Sequence, residues 1–367
     1  LSLKEAVLTS CLSRRWRHLW TGITGLDFDA DDELNKIAAE PKLKSSERSK
    51  YINWVNRVVR NYRGLTLEAF RICFDLEKGS KTAIDNWVKF AMAKMVQKLE
   101  LDLLENGETL RQSLRNYTFP YKLLTETKWS SLKRLYGNLP SNLSFTSVGF
   151  KALKVLSLKC VNVNDEALQY FLSNCPVLQC LSIHGSGDLE NVKVTGVSLK
   201  LRYLEIIFCL GVKTIEICET NLVSFSYLGG NINLCIDNVP MLDEISIGEG
   251  YSGLENDVFN QLSSCLYQLE VLTLDIYRPE VRKSKPPFSC LFFLFLLLER
   301  TITLVAFVFF FQENIKMFAF PELPNLKQLI LKIGAWDDDP LLQFTSLVRV
   351  CPNLYRFVLQ VNTECYH

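Results

Sequence analysis

Histidine is nearly absent, and neither sign of charge prevails. Only three His stand in 367 residues, and 41 Lys+Arg offset 40 Asp+Glu. His18, His184 and His367 are far apart, and twelve Cys include no Cys-x-x-Cys pair. Zinc sites of the finger, ribbon or RING type are therefore not expected, and neither a metal nor a cofactor is. A net charge of +1 lacks the basic footprint of a protein built mainly to bind nucleic acid or acidic membranes. The sequence has no Gly-x-Ser-x-Gly elbow, no phosphate-binding glycine loop and no His-Glu-x-x-His. An ordinary enzyme is the last expectation. No basic-then-apolar leader is visible, so no secretory signal is expected.

What is plentiful is apolar residues, 48% of the chain, and they are unevenly spread. Residues 288–311 hold 8 of the 23 Phe. Their length suits a membrane span, but Glu299 and Arg300 fall in the middle. Each would cost about 3 kcal/mol there.

Elsewhere the apolar residues recur as Leu-x-x-Leu-x-Leu or a close variant. The pattern stands at Val96, Leu99, Leu101; Leu153, Leu156, Leu158; Leu178, Leu181, Ile183; and Leu201, Leu204, Ile206. It continues at Leu222, Phe225, Tyr227; Leu242, Ile245, Ile247; and Leu269, Leu272, Leu274. Leu326, Leu329, Leu331 and Leu354, Phe357, Leu359 close the series. From Leu153 the spacings are 25, 23, 21, 20, 27, 57 and 28. Steps of 20 to 28 match the leucine-rich repeat, a short strand plus a return segment. The expected fold is an α/β solenoid in which stacked units share one core.

Three units share a helix. Asp165, Asp257 and Asp339 each open an amphipathic run, and Cys175, Cys265 and Cys351 each close it before the strand. Asp339 as N-cap with Pro340 at N1 explains the carboxylates at 337–339 without invoking a site. A repeated Cys just before a buried strand reads as an apolar filler, which favours a reducing compartment. Nearer the start, Ile52, Val55, Val59 and Tyr62 recur at helical spacing, as do Ile84, Trp87, Val88, Ala91 and Met95.

The 57-residue step is about 30 longer than its neighbours. Residues 283–317 carry the excess, including the Phe-rich stretch. The segment is read as foreign to the repeat, as a retained intron would be, with a membrane hairpin as the competing reading. The expected division is 1–22, 23–282 (repeats), 283–317 (insertion) and 318–367 (further repeats).

Residues 1–20 carry Ala6, Val7, Leu8, Ser10, Leu12, Arg14, Trp16, Leu19 and Trp20, and residues 4–20 closely resemble the second half of the plant F-box. The Leu-Pro-x-x-[Ile/Leu] start of that motif would precede Leu1, so 1–22 is read as a partial F-box. Further runs resemble the next elements of plant F-box/leucine-rich-repeat proteins: Leu26–Asp29, Tyr51–Arg57, Phe70–Phe74 and Lys98–Asp102. The resemblance implies a substrate-recognition subunit of an SCF-type ubiquitin ligase that does no chemistry itself. Its F-box residues would contact a Skp-family adaptor joined to a cullin, and its repeats would hold an unknown target protein. Neither nucleic acid nor membrane is expected as partner, and the cytoplasm or nucleus is the expected location.

In such a solenoid the outward strand positions line the concave face. The candidate target-binding residues are Ser157, Lys159, Ser182, His184, Tyr203, Glu205, Glu244, Thr273, Asp275, Gln328, Lys332 and Arg356. They show no prevailing charge sign. Two other readings remain: a repeat scaffold outside any ligase, and a receptor ectodomain. The second draws on the glycosylation patterns at Asn116 and Asn142. For the insertion, transcripts that skip residues 283–317 in frame are expected. Peptides sequenced from inside the segment would sink the intron reading.

Overall fold

A computed structural model describes residues 23–107, 110–126, 150–248, 257–275, 320–334 and 347–362. The expected partial F-box and the insertion at 283–317 lie outside them, as do Asp339 and Pro340. The chain divides into two compact units, Leu1–Val223 and Ser224–His367. The first opens with β1 (Gly25–Asp29), α1 (Asp31–Ala39), α2 (Lys44–Asn61), β2 (Ala69–Cys73), α3 (Lys81–Ala93) and β3 (Lys98–Asp102). It continues through β4 (Tyr117–Thr118), α4 (Tyr121–Glu126), β5 (Val155–Lys159), β6 (Val161–Asn162) and α5 (Asp165–Asn174). β7 (Cys180–His184), β8 (Asn191–Thr195), β9 (Tyr203–Ile207) and β10 (Thr214–Cys218) complete it. The second unit holds β11 (Ser224–Leu228), β12 (Asn233–Asp237), β13 (Glu244–Gly248), α6 (Asp257–Gln261), β14 (Val271–Asp275), β15 (Gln328–Gly334) and β16 (Arg356–Asn362).

Within the first unit β1, β2, β3, β5, β7 and β9 are parallel neighbours in that order. In the second, β11, β13, β14, β15 and β16 are. Side chains alternate along a strand, so the two inner Leu-type residues of each repeat point to one side. In the first unit Phe28, Ile72, Leu101, Leu158, Ile183 and Ile206 form one such buried row. The backbone fixes the register with a recurring device. The carbonyl just before a strand accepts two N–H groups from the start of the next. Gln97 O takes Lys154 N and Val155 N; Lys154 O takes Gln179 N and Cys180 N; Glu270 O takes Lys327 N and Gln328 N.

Each strand must then turn a corner. Cys160, Phe208, Glu219 and Asn238 follow directly on β5, β9, β10 and β12 at φ between 49° and 54°, and Gly185 follows β7 at 67°. Glycine takes this left-handed conformation freely, whereas the others do so at a cost of roughly 1–2 kcal/mol. The turn places the corner N–H against the carbonyl that ends the next strand: Cys160 N on His184 O, and Gly185 N on Ile207 O.

The return segments differ by length. Long units use helices: Asn164 caps α5 by accepting from Ala167 N, and Asp165 reaches across to Glu190 N and Asn191 N. Cys175, Cys265 and Cys351 are buried as expected, and burial pushes their thiols up to about 12, 11 and 11. The 20–23-residue units instead return through β8, β10 and β12, which the Leu pattern did not reveal. Their alternation, as in Asn191, Val192, Lys193, Val194, Thr195, buries every second residue. β8 and β10 pair in parallel.

The first repeats are larger because α2 and α3 bring aromatic residues onto the strands. Tyr51 stacks on Phe74 at 4.2 Å and donates its hydroxyl to Phe28 O. Above them sits a buried ionic knot. Asp75 accepts from Arg48, Arg111, Lys44 and Asn106 N, so α2 is tied to the loops that follow β2 and β3. Burial alone would raise its carboxyl, but the Asn106 N–H and these cations outweigh it and hold the group below the usual range.

Asn116, one of the two glycosylation patterns, is only 2% exposed. Its amide nitrogen donates to Asn162 Oδ1 and Gly185 O, leaving no room for a glycan in this fold. Asn142 lies outside the described residues. The shared core makes a graded prediction. Leu158→Ala, at full burial inside the stack, is expected to cost about 2–5 kcal/mol. Phe357→Ala, on the strand β16 and 40% exposed, is expected to cost markedly less. Urea unfolding midpoints would show this, and equal losses would contradict a core completed by neighbours.

Candidate functional site: the open sheet face

Because the strands are in register, outward residues fall into rows. In the first unit the middle row runs Asp27, Arg71, Glu100, Ser157, Ser182, Glu205. A second row runs Asp29, Cys73, Asp102, Lys159, His184, Ile207, and a third ends in Val155, Cys180, Tyr203. All six expected residues of this unit thus share one face. In the second unit Glu244, Gln328 and Arg356 share a row, and Asp275 and Lys332 share another. Thr273 also faces outward but is only 7% exposed, between Ser246 and Ile330, and it offers a partner little surface. The nine residues from Ala6 to Trp20 that are expected to contact an adaptor lie outside the described residues.

The sequence reading missed the contribution of β1 to β3, although Asp27, Arg71 and Glu100 alternate with buried residues just as the later positions do. Arg71 gathers three carboxylates, at 3.2 Å from Asp27, 2.9 Å from Asp29 and 3.1 Å from Glu100. Burial works against the charge on Asp29, but the hydrogen bonds from Arg71 and Asp31, together with the Arg71 charge, outweigh it and lower the carboxyl. Lys159 pairs with Asp102 at 2.8 Å.

Ser182, His184 and Glu205 also come together. Glu205 Oε2 lies 2.6 Å from Ser182 Oγ and 2.8 Å from His184 Nε2. His184 holds the Glu205 carboxyl below its usual range, with burial opposing and Ser182 assisting. The trio has the residue types of a hydrolytic triad but not its geometry. A triad uses one imidazole nitrogen for the serine and the other for the acid. Here Nε2 meets both, and the serine hydroxyl donates to the glutamate.

Among the described residues no group of three or more His, Cys, Asp or Glu could hold a metal ion. Among the same residues no helix is long and apolar enough to cross a membrane.

Arg71→Gln is expected to move the Asp29 titration upward in a carboxyl NMR experiment. In the parent protein the lowered carboxyl contributes stability above its unfolded value near 3.8, and loses it as pH falls through the folded value. The variant should lose that acid-side dependence and at most about 1 kcal/mol, since the pairs are partly solvated. An unmoved Asp29 would show that Arg71 does not set its charge.

Comparison with known proteins agrees with this architecture. A family model described as "At1g61320/AtMIF1, LRR domain" matches residues 58–367. "F-box/LRR-repeat protein At3g03360" of Arabidopsis thaliana is 32% identical over 49% of this chain and 34% of its own length. "F-box/LRR-repeat protein At3g59200" of the same plant is 26% identical over 98% of this chain and 66% of its own length. The chain therefore spans between about a third and two thirds of these relatives. With the repeats, the parallel sheet and these matches in agreement, the chain belongs to the At1g61320/AtMIF1-type leucine-rich-repeat family and is a plant F-box/LRR protein.

Proposed function

We propose that the chain is the substrate-recognition subunit of an SCF-type ubiquitin ligase. The observation that supports this most is the alignment of 98% of the chain with a protein named for both an F-box and leucine-rich repeats. In this reading residues Ala6 to Trp20 contribute to docking on a Skp-family adaptor linked to a cullin. The sheet face holds the target. The chain performs no bond-making step; it raises the effective concentration of a target lysine beside a charged ubiquitin-conjugating enzyme. A reducing location such as cytoplasm or nucleus goes with this reading, and the nine free cysteines among the described residues support it.

Co-purification tests the proposal. This chain, and a version extended to carry a complete F-box, are each expressed with a Skp-family adaptor. Capture of the adaptor by the extended version, weakened by Trp16→Ala with Leu19→Ala, is the expected result. Failure of both versions to capture any adaptor would make the protein a repeat scaffold outside the ligase.

A further inference from the structure

On the sheet face of the first unit the charges do not balance. Asp27, Asp29, Glu100, Asp102 and Glu205 are five carboxylates set against three cations, Arg71, Lys98 and Lys159, and one imidazole, His184, which already meets Oε2 of Glu205. Arg71 and Lys159 are already committed to these carboxylates, and Lys98 lies 3.3 Å from Glu100. The acids at the two ends of the middle row stay open to solvent, with the Asp27 side chain 59% and the Glu205 side chain 42% exposed. Beside Glu205, two residues back on β9, stands Tyr203 at 48% exposure. An aromatic ring next to a carboxylate suits a cation.

A separate observation points the same way. Asp102 is only 6% exposed; its Oδ2 takes Lys159, but its Oδ1 has no hydrogen-bond partner among the described residues. An unsatisfied buried acceptor carries a desolvation cost. A donor arriving on this face, or a shift of Lys159 to admit one, removes that cost.

We propose that this face holds an extended basic segment of the target protein, with one Lys or Arg against Asp27 and Asp29 and a second against Glu205 and Tyr203. The proposal rests on the reading that the sheet face is the target site. It adds a charge and a spacing. From β1 to β9 there are five inter-strand steps of about 4.8 Å, or about 24 Å in all, which an extended chain crosses in about seven residues. The two basic residues therefore stand about seven apart. Acidic segments and phosphate backbones are repelled by the same carboxylates.

The test uses the purified full chain and fluorescence anisotropy. One labelled peptide carries two arginines seven residues apart in a Gly-Ser background; its counterpart carries two glutamates. The arginine peptide is expected to bind at least tenfold tighter and to weaken as salt is added. Asp27→Asn and Glu205→Gln should each reduce its affinity at least threefold. Glu219→Gln, an exposed carboxylate off this face, should leave it unchanged. Equal binding of the two peptides, no binding of either, or an equal loss in Glu219→Gln overturns the proposal. Thermal melting confirms that each variant folds, and the parent comparison stands without them. Adaptor capture is read in parallel on the version extended to a complete F-box. Lost peptide selectivity with the adaptor still captured sinks this inference alone. Retained selectivity without adaptor capture sinks the ligase reading alone.

Discussion

No single repeat in this protein can bury its own apolar side. A five-residue strand such as Val155–Lys159 presents Leu156 and Leu158 inward, and both reach full burial only because β3 and β7 flank them. The carbonyl ahead of each strand accepts two N–H groups from the next, which pins the register while the side chains pack. Once the register is fixed, the outward positions must fall into rows. The rows on the open face are therefore a by-product of the core. A repeat protein of this kind can vary its outward residues freely while the inward ones hold the frame.

The inward positions were legible because their chemistry is local and periodic. The Leu pattern located nearly every strand of the open sheet, and the Cys slot announced its burial. Helices α2 and α3 were visible from Val55, Val59, Trp87 and Ala91 at helical spacing. β8, β10 and β12 were not legible in the same way. Each is a five-residue run whose alternation was present but lay outside the Leu pattern. The ionic knot at Asp75 could not have been read from the chain, since its partners Arg48 and Arg111 are 27 and 36 residues away. The same holds for Arg71, whose meaning depends on having Asp27, Asp29 and Glu100 on neighbouring strands.

Net charge near zero turns out to be a poor guide to the surface. Cations are spent in the knot at Asp75, where Lys44, Arg48 and Arg111 surround one buried carboxylate. On the open face of the first unit carboxylates outnumber them. Buried ion pairs of this type contribute little net stability, because desolvation offsets their attraction. Removing one member leaves the rest uncompensated. The knot thus fixes how α2 sits against the loops after β2 and β3, close to the acidic end of the face.

The pairing of β14 with β15 has a consequence for chain entropy. Val271 meets Gln328 in exact sequence of register with the rest of the ladder, although residues 276–327 intervene. Closing a flexible loop becomes more costly only with the logarithm of its length, about 0.6 kcal/mol for each doubling. A connection more than twice as long as its neighbours therefore weighs less than the loss of one buried leucine. A stacked fold of this type tolerates long new sequence between repeats, provided the strands on either side keep their inward leucines.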